Sequence, residues 1–195
     1  MRATVPDTDK ETAVSSNPDV FASALVSSGP HPDLPAEHQI FGPFIGSWDL
    51  VVTWYANDGS ISRRENGEWH FAWVLEGRAV QDVWIVPPRS ERQGNPDLYE
   101  YGTSLRFFDR ELGAWRSTWI GPAHRVVYVF HAHRIGEEVV LETRLEGKGR
   151  MRWSFTDVSD TRFIWRNQRE TDTGWILTQE FHALRQSPTW HERSK

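Results

Sequence analysis

Glu68 and His70 share one face of an apolar run, and Arg78 and Asp82 share one face of the next. An imidazole titrates near neutrality, at about 6.5 when unperturbed, and a neighbouring carboxylate fixes its tautomer, which is the equipment of general acid–base chemistry without a metal. His70 and Asp82 are therefore candidate proton-handling residues. Tyr101 joins them, because a phenol can orient or protonate a carbonyl. The competing reading makes His70 an outward, hydrogen-bonded histidine and Arg78 the structural partner of Asp82.

A second pattern is His131-Ala132-His133, with Glu137 three residues further on. Alternate strand residues point the same way, so His131 and His133 would offer two imidazoles to one metal, with Glu137 as a third ligand. A third is the series Arg106, Arg116, Arg152 and Arg166, each beside large aromatics. Inward, they would bind an anion and stack on indoles; outward, their stems would cover apolar surface. Trp115, Trp119, Trp153 and Trp165 occupy the opposite strand faces. The expectation is tryptophans inside and arginines outside, except Arg106, which shares a face with Phe108. Tyr128 adds another phenol. No Ser-His-Asp spacing, phosphate loop or dinucleotide fingerprint is present.

The elements that must position these residues centre on Gly67 to Pro88, two apolar runs folded about Glu76-Gly77. Trp69, Phe71, Trp73 and Leu75 recur at period two, and Val80, Trp84 and Val86 repeat the pattern on the return, which predicts a long antiparallel hairpin. Both faces of the second run are apolar, as in a sheet closed on itself and covered in places outside. Before it, Ala36 to Gly46 predicts a short helix plugging one end, and Ser47 to Tyr55 a strand. After it come strands over 98–108, 114–120, 124–133, 138–145, 150–156, 162–168 and 175–184. Ten strands joined by hairpin turns describe an all-β, up-and-down antiparallel barrel, whose closure removes exposed edges. Pro87 to Asp97 is the longest connection and the expected loop at the barrel mouth. Residues 1–33 read as a flexible extension with an apolar patch at Val20 to Val26, residues 34–185 as the barrel, and 186–195 as a tail.

Composition narrows the function classes. A net charge of -5 with no basic run gives no footprint for nucleic acid or an anionic membrane. With no cysteine, thiol catalysis and thiolate metal sites are excluded. The sequence shows no secretory leader and no run approaching the roughly 20 apolar residues of a membrane helix, so a cytoplasmic protein is expected. Eleven tryptophans against two methionines favour flat, rigid walls suited to cyclic or aromatic molecules.

Gly46-Ser47-Trp48, where the helix meets the first strand, resembles the Gly-x-Trp signature that opens lipocalin and other calycin barrels. The strings WVLEGRAVQDVWIVP, YGTSLRFFD, AWRSTW and GWILTQEFHALR are similar to a family of bacterial lipocalin-like domains of unknown function, over about residues 41–185. This resemblance implies a barrel with a cavity open at one end. Ten strands exceed the lipocalin count and point toward the nitrobindin or fatty-acid-binding relatives; no haem-ligand motif carries over. The His131 pattern resembles half of a cupin metal motif, without its preceding glycine and without a second half. Function is then expected to be enclosure of a small apolar molecule by a cofactor-independent enzyme of cyclase, isomerase or lyase type in specialised metabolism. The alternatives are a passive carrier and a metal enzyme using His131 and His133. The expected ligand-contacting residues are Trp54, Trp69, Trp73, Arg78, Trp84, Arg106, Trp119, Trp153 and Trp165. A homodimer is left open.

Overall fold

Alternation of large apolar and polar residues drives ten segments of the chain into strands that bury one face each. The computed structural model describes residues 17–92, 99–147 and 149–187, and the predicted stretches that fall on 1–16, 93–98, 148 and 188–195 lie outside them. A helix α1 (Pro18–Leu25) and a two-residue strand β1 (Val26–Ser27) come first. The barrel strands are β2 (Gly46–Tyr55), β3 (Ile61–Val74), β4 (Ala79–Val86), β5 (Glu100–Asp109) and β6 (Ala114–Gly121). They continue with β7 (Val126–Ile135), β8 (Glu138–Leu145), β9 (Gly149–Thr156), β10 (Arg162–Thr171) and β11 (Gly174–Arg185).

Each strand pairs antiparallel with its sequence neighbours, β11 returns to β2, and the β3–β4 pairing completes the ring. The barrel is closed, so no long edge is left to pair with another chain. β1 lies beside Trp73 and Val74, the part of β3 that extends beyond its pairing with β2. The turn between β3 and β4 is tight: Leu75, Glu76 and Gly77 have φ of 53°, 59° and 77°. A side chain at Gly77 would meet the Gly29 carbonyl oxygen at 2.2 Å, so only glycine lets the N-terminal segment cross this turn. That crossing is hydrogen-bonded, His31 N–H to Gly77 O at 2.9 Å and Leu75 N–H to Leu25 O at 2.9 Å. Leu25 and His31 are thus tied to the barrel by backbone hydrogen bonds.

The predicted capping helix is two short 3-10 turns, Ala36–His38 and Gly42–Phe44, because Pro43 and the two flanking glycines, Gly42 and Gly46, do not support a longer helix. The plug they form inserts Phe41 and Phe44, both fully buried. The Trp48 indole donates to the Phe44 carbonyl at 2.7 Å and the Trp115 indole to the His38 carbonyl at 2.8 Å. From the last strand, Arg185 lies 4.0 Å over the Trp48 ring and donates to the carbonyls of Ile45 (2.7 Å) and Pro43 (2.8 Å). The Gly46-Ser47-Trp48 stretch is therefore the joint where first strand, last strand and plug are fastened together. No described helix is long and apolar enough to cross a membrane.

Candidate functional site

The interior is built in levels. Nearest the plug, Asp82 and Arg106 form an ion pair with both side chains closed to solvent. Asp82 Oδ1 also accepts the Ser104 N–H at 3.1 Å, and the Arg106 guanidinium lies 4.9 Å from the Phe41 ring and 5.8 Å from that of Phe71. Above it, rings meet across the barrel. Trp84 of β4 packs 4.9 Å from Phe181 of β11 and 6.2 Å from Trp165 of β10, and Trp153 sits 5.2 Å from Trp165 and 6.0 Å from Trp119. This level is filled by side chains, so any ligand space lies toward the end away from the plug. Among the described residues, the indole N–H groups of Trp69, Trp84, Trp153 and Trp165 have no acceptor, and the Asn167 amide oxygen has no donor, although buried polar groups are normally paired.

At the end away from the plug stands Glu100, the first residue of β5, on the inward face it shares with Gly102, Ser104 and Arg106. Its side chain is only 13% exposed. Burial pushes its carboxyl up to about 7; the charge of Arg63 and the neighbouring polar groups of Trp54 and Gln179 pull the other way and lose. Cross-strand register brings the neighbours together: Gln179 faces Trp54, Asn167 faces Gln179, and Trp153 faces Asn167. Arg63 lies 4.4 Å over the Trp54 ring, and His124, in the connection between β6 and β7, is 3.8 Å from Glu100. The arrangement is an aromatic belt with one near-neutral carboxyl at its rim, able to stack a flat molecule and exchange a proton with it.

Several expected positions fall inside. Trp69, Trp73, Trp84, Trp119, Trp153 and Trp165 are buried in the core, and Trp54 packs against it half-buried. Trp73 contacts the plug at Gly42. Arg106 points inward, while Arg116, Arg152 and Arg166 pair with Asp109, Glu142 and Glu180 on the outer wall. Trp119 lies flat on the backbone of β5, where a side chain at Gly102 would meet its ring at 2.3 Å.

Others are corrected. His70 faces outward, because Trp69, Phe71 and Trp73 claim the inner face of β3; it lies opposite Val83, whereas Asp82 lies opposite Phe71. Tyr101 faces outward and is 45% exposed, since Gly102 and Ser104 take the inner face of β5. Arg78 never enters a strand. The left-handed turn at 75–77 breaks the alternation before it, leaving Arg78 exposed beside His31 and Asp33, and Asp82 pairs with Arg106 instead. His131 and His133 are exposed on the outer wall of β7, whose inner face is Phe130 and Ala132, and Glu137 lies in the turn beyond. No group of three or more His, Asp or Glu converges as a metal site among the described residues. A depression of about 780 Å³ also lies on the outer wall, along Asp49, Val51, Ile164 and His182. It does not coincide with the buried polar groups.

Glu100 was not singled out from the sequence, although its parity with Arg106 along β5 was available. Gln179 and Asn167 carried no signal of their own.

No family model and no curated protein matches this chain. Among solved structures, the S-type phycobiliprotein lyase from Guillardia theta matches with a TM-score of 0.54 over 76% of this chain and 92% of that one, at 9% identity. The two share a fold, and this chain is an all-antiparallel closed ten-strand β-barrel. A redesigned β-barrel matches over 75% of this chain and 94% of the other, at 14% identity and a TM-score of 0.38.

Proposed function

We propose that the barrel takes up a flat, mainly apolar small molecule at its open end and moves a proton on it, as a cofactor-independent enzyme of lyase, isomerase or cyclase type. The observation that carries this reading is Glu100, a nearly buried carboxyl with a pKa of about 7 beside Trp54 and Gln179. A general acid or base works best when its pKa is near the operating pH, and a carrier has no need of one. The guest's ring stacks on the half-buried Trp54, beside Glu100, at the end away from the plug. Orientation and exclusion of water by the aromatic belt supply most of the acceleration, with Glu100 handling the proton. The name of the solved structure with this barrel, a phycobiliprotein lyase, is in keeping with a small-molecule role.

The test begins with native mass spectrometry of protein from its own host, followed by denaturing release and identification of the retained compound. Glu100→Gln is then compared with wild type for binding, by quenching of tryptophan fluorescence, and for turnover. The expected result is binding within about threefold and turnover lowered by about 10²–10⁴, the usual contribution of a general acid or base. A compound that binds both proteins and leaves both unchanged would make this barrel a carrier.

A further inference from the structure

The outer wall of the barrel carries a separate set of groups that the interior reading does not use. Ser47 of β2 and His70 of β3 are register partners. Their side chains meet, with Ser47 Oγ 2.9 Å from His70 Nδ1, and His70 Nε2 lies 3.0 Å from Glu68 Oε2. Arg89, just after β4, donates to both carboxylate oxygens of Glu68, at 2.7 and 3.0 Å, and holds that carboxyl down at about 2. Glu68 is therefore a carboxylate at any working pH. In the tautomer with Nε2–H, Glu68 Oε2 accepts from it and the bare Nδ1 accepts from the Ser47 hydroxyl; Arg89 Nη2 also lies 3.3 Å from Nε2.

We propose that Ser47, His70 and Glu68 form a nucleophile, base and positioning carboxylate for acyl transfer from short-chain esters at the outer wall. The chain of contacts from serine to imidazole to carboxylate is the one that recurs on unrelated folds, with the two ring nitrogens exchanged so that Nδ1 faces the serine and Nε2 the carboxylate. Ser47 and His70 open onto a groove of about 250 Å³ between the outer wall and the end of α1, lined otherwise by Gln81 and by mainly apolar residues such as Leu25, Val26, Val74 and Val83. That groove suits the acyl chain.

In the first step Ser47 Oγ attacks the ester carbonyl carbon and its proton passes to His70 Nδ1. The carbon–oxygen bond to the alcohol breaks, and His70 returns the proton to the departing oxygen. Water then attacks the acyl-serine by the same route, freeing the carboxylic acid and restoring the serine. Anchoring Arg89 needs Glu68 alone. Extending the polar chain through His70 and Ser47 into an apolar groove carries a desolvation penalty that an anchor does not require.

The test is reaction of the full chain with a fluorophosphonate probe, located by peptide mass spectrometry, together with hydrolysis of p-nitrophenyl butyrate. The expected result is a probe adduct on Ser47 that is absent in Ser47→Ala and forms at least tenfold more slowly in His70→Gln. Glu68→Gln should lower the maximal labelling rate several-fold without changing the probe concentration for half-saturation, a split that loosened packing would not produce. Near-ultraviolet circular dichroism of the tryptophan core confirms that each variant is folded. No adduct at Ser47, or equal labelling of wild type and folded His70→Gln, would overturn the proposal. Because the groove is outside the barrel, Glu100→Gln should label like wild type, which keeps this test independent of the interior site.

Discussion

Asp82 and Arg106 meet diagonally across neighbouring strands: Asp82 lies opposite Ser104 and Arg106 opposite Val80, yet their charged ends pair where neither has access to water. Removing one partner of such a pair leaves the other charge buried alone, which costs about 3–5 kcal/mol, whereas replacing both by apolar groups is often neutral or stabilising. Arg106→Met should therefore be destabilised by that amount in urea unfolding, and Arg106→Met combined with Asp82→Val should recover at least half of the loss. Additive losses in the cycle would show that the pair is not the unit.

Glu100 gives stability a pH dependence of unusual sign. Its folded pKa of about 7 lies above its ordinary value of 4.5, so the folded state binds more protons than the unfolded state between those values. Its contribution is most favourable below the unfolded pKa and is lost as pH rises through the folded one. The full span corresponds to about 3 kcal/mol. Urea midpoints of wild type should fall between about pH 5 and pH 8 relative to those of Glu100→Gln, in which this component is absent.

Gly102→Ala places a methyl group 2.3 Å from the Trp119 ring, backed by the Ile120 carbonyl at 2.7 Å. The indole must leave the strand or the strand must bend. Overpacking of this kind costs about 1–3 kcal/mol. The variant should lose thermal stability and alter the near-ultraviolet dichroism, and Trp119→Phe should relieve part of the strain.

The Glu68 carboxyl behaves oppositely to Glu100. Arg89 holds its pKa at about 2, below the ordinary 4.5, so its stabilisation is fully present above that ordinary value and fades as pH falls toward the folded one. Arg89 is 60% exposed, so solvent screening limits the pair to about 1 kcal/mol or less. Arg89→Ala should be slightly less stable than wild type at about pH 6, with the difference shrinking under acid.

Strand number, closure and the inward tryptophans were legible because alternation is a local property: Trp69-x-Phe71-x-Trp73 states its own phase. What crosses the turn was not. Arg78 reads as a strand residue until three left-handed positions before it break the alternation, and the partner of Asp82 proved to be a residue on the strand after, reached through register. Ser47 and His70 are 23 positions apart and meet only because β2 and β3 pair in one register out of several. Glu100 was hidden differently. Its elevated pKa is a property of the closed barrel around it, and no neighbouring residue in sequence announces that burial.

The rings that fill the upper barrel are also chromophores. Trp84, Trp119, Trp153 and Trp165 are linked by centroid separations of 5.2–6.2 Å. At such distances indoles exchange excitation energy rather than emit independently, so light absorbed by any of them is shared among all. A change that quenches one ring would dim the whole set, so the protein's tryptophan emission reports on this level of the barrel as a unit.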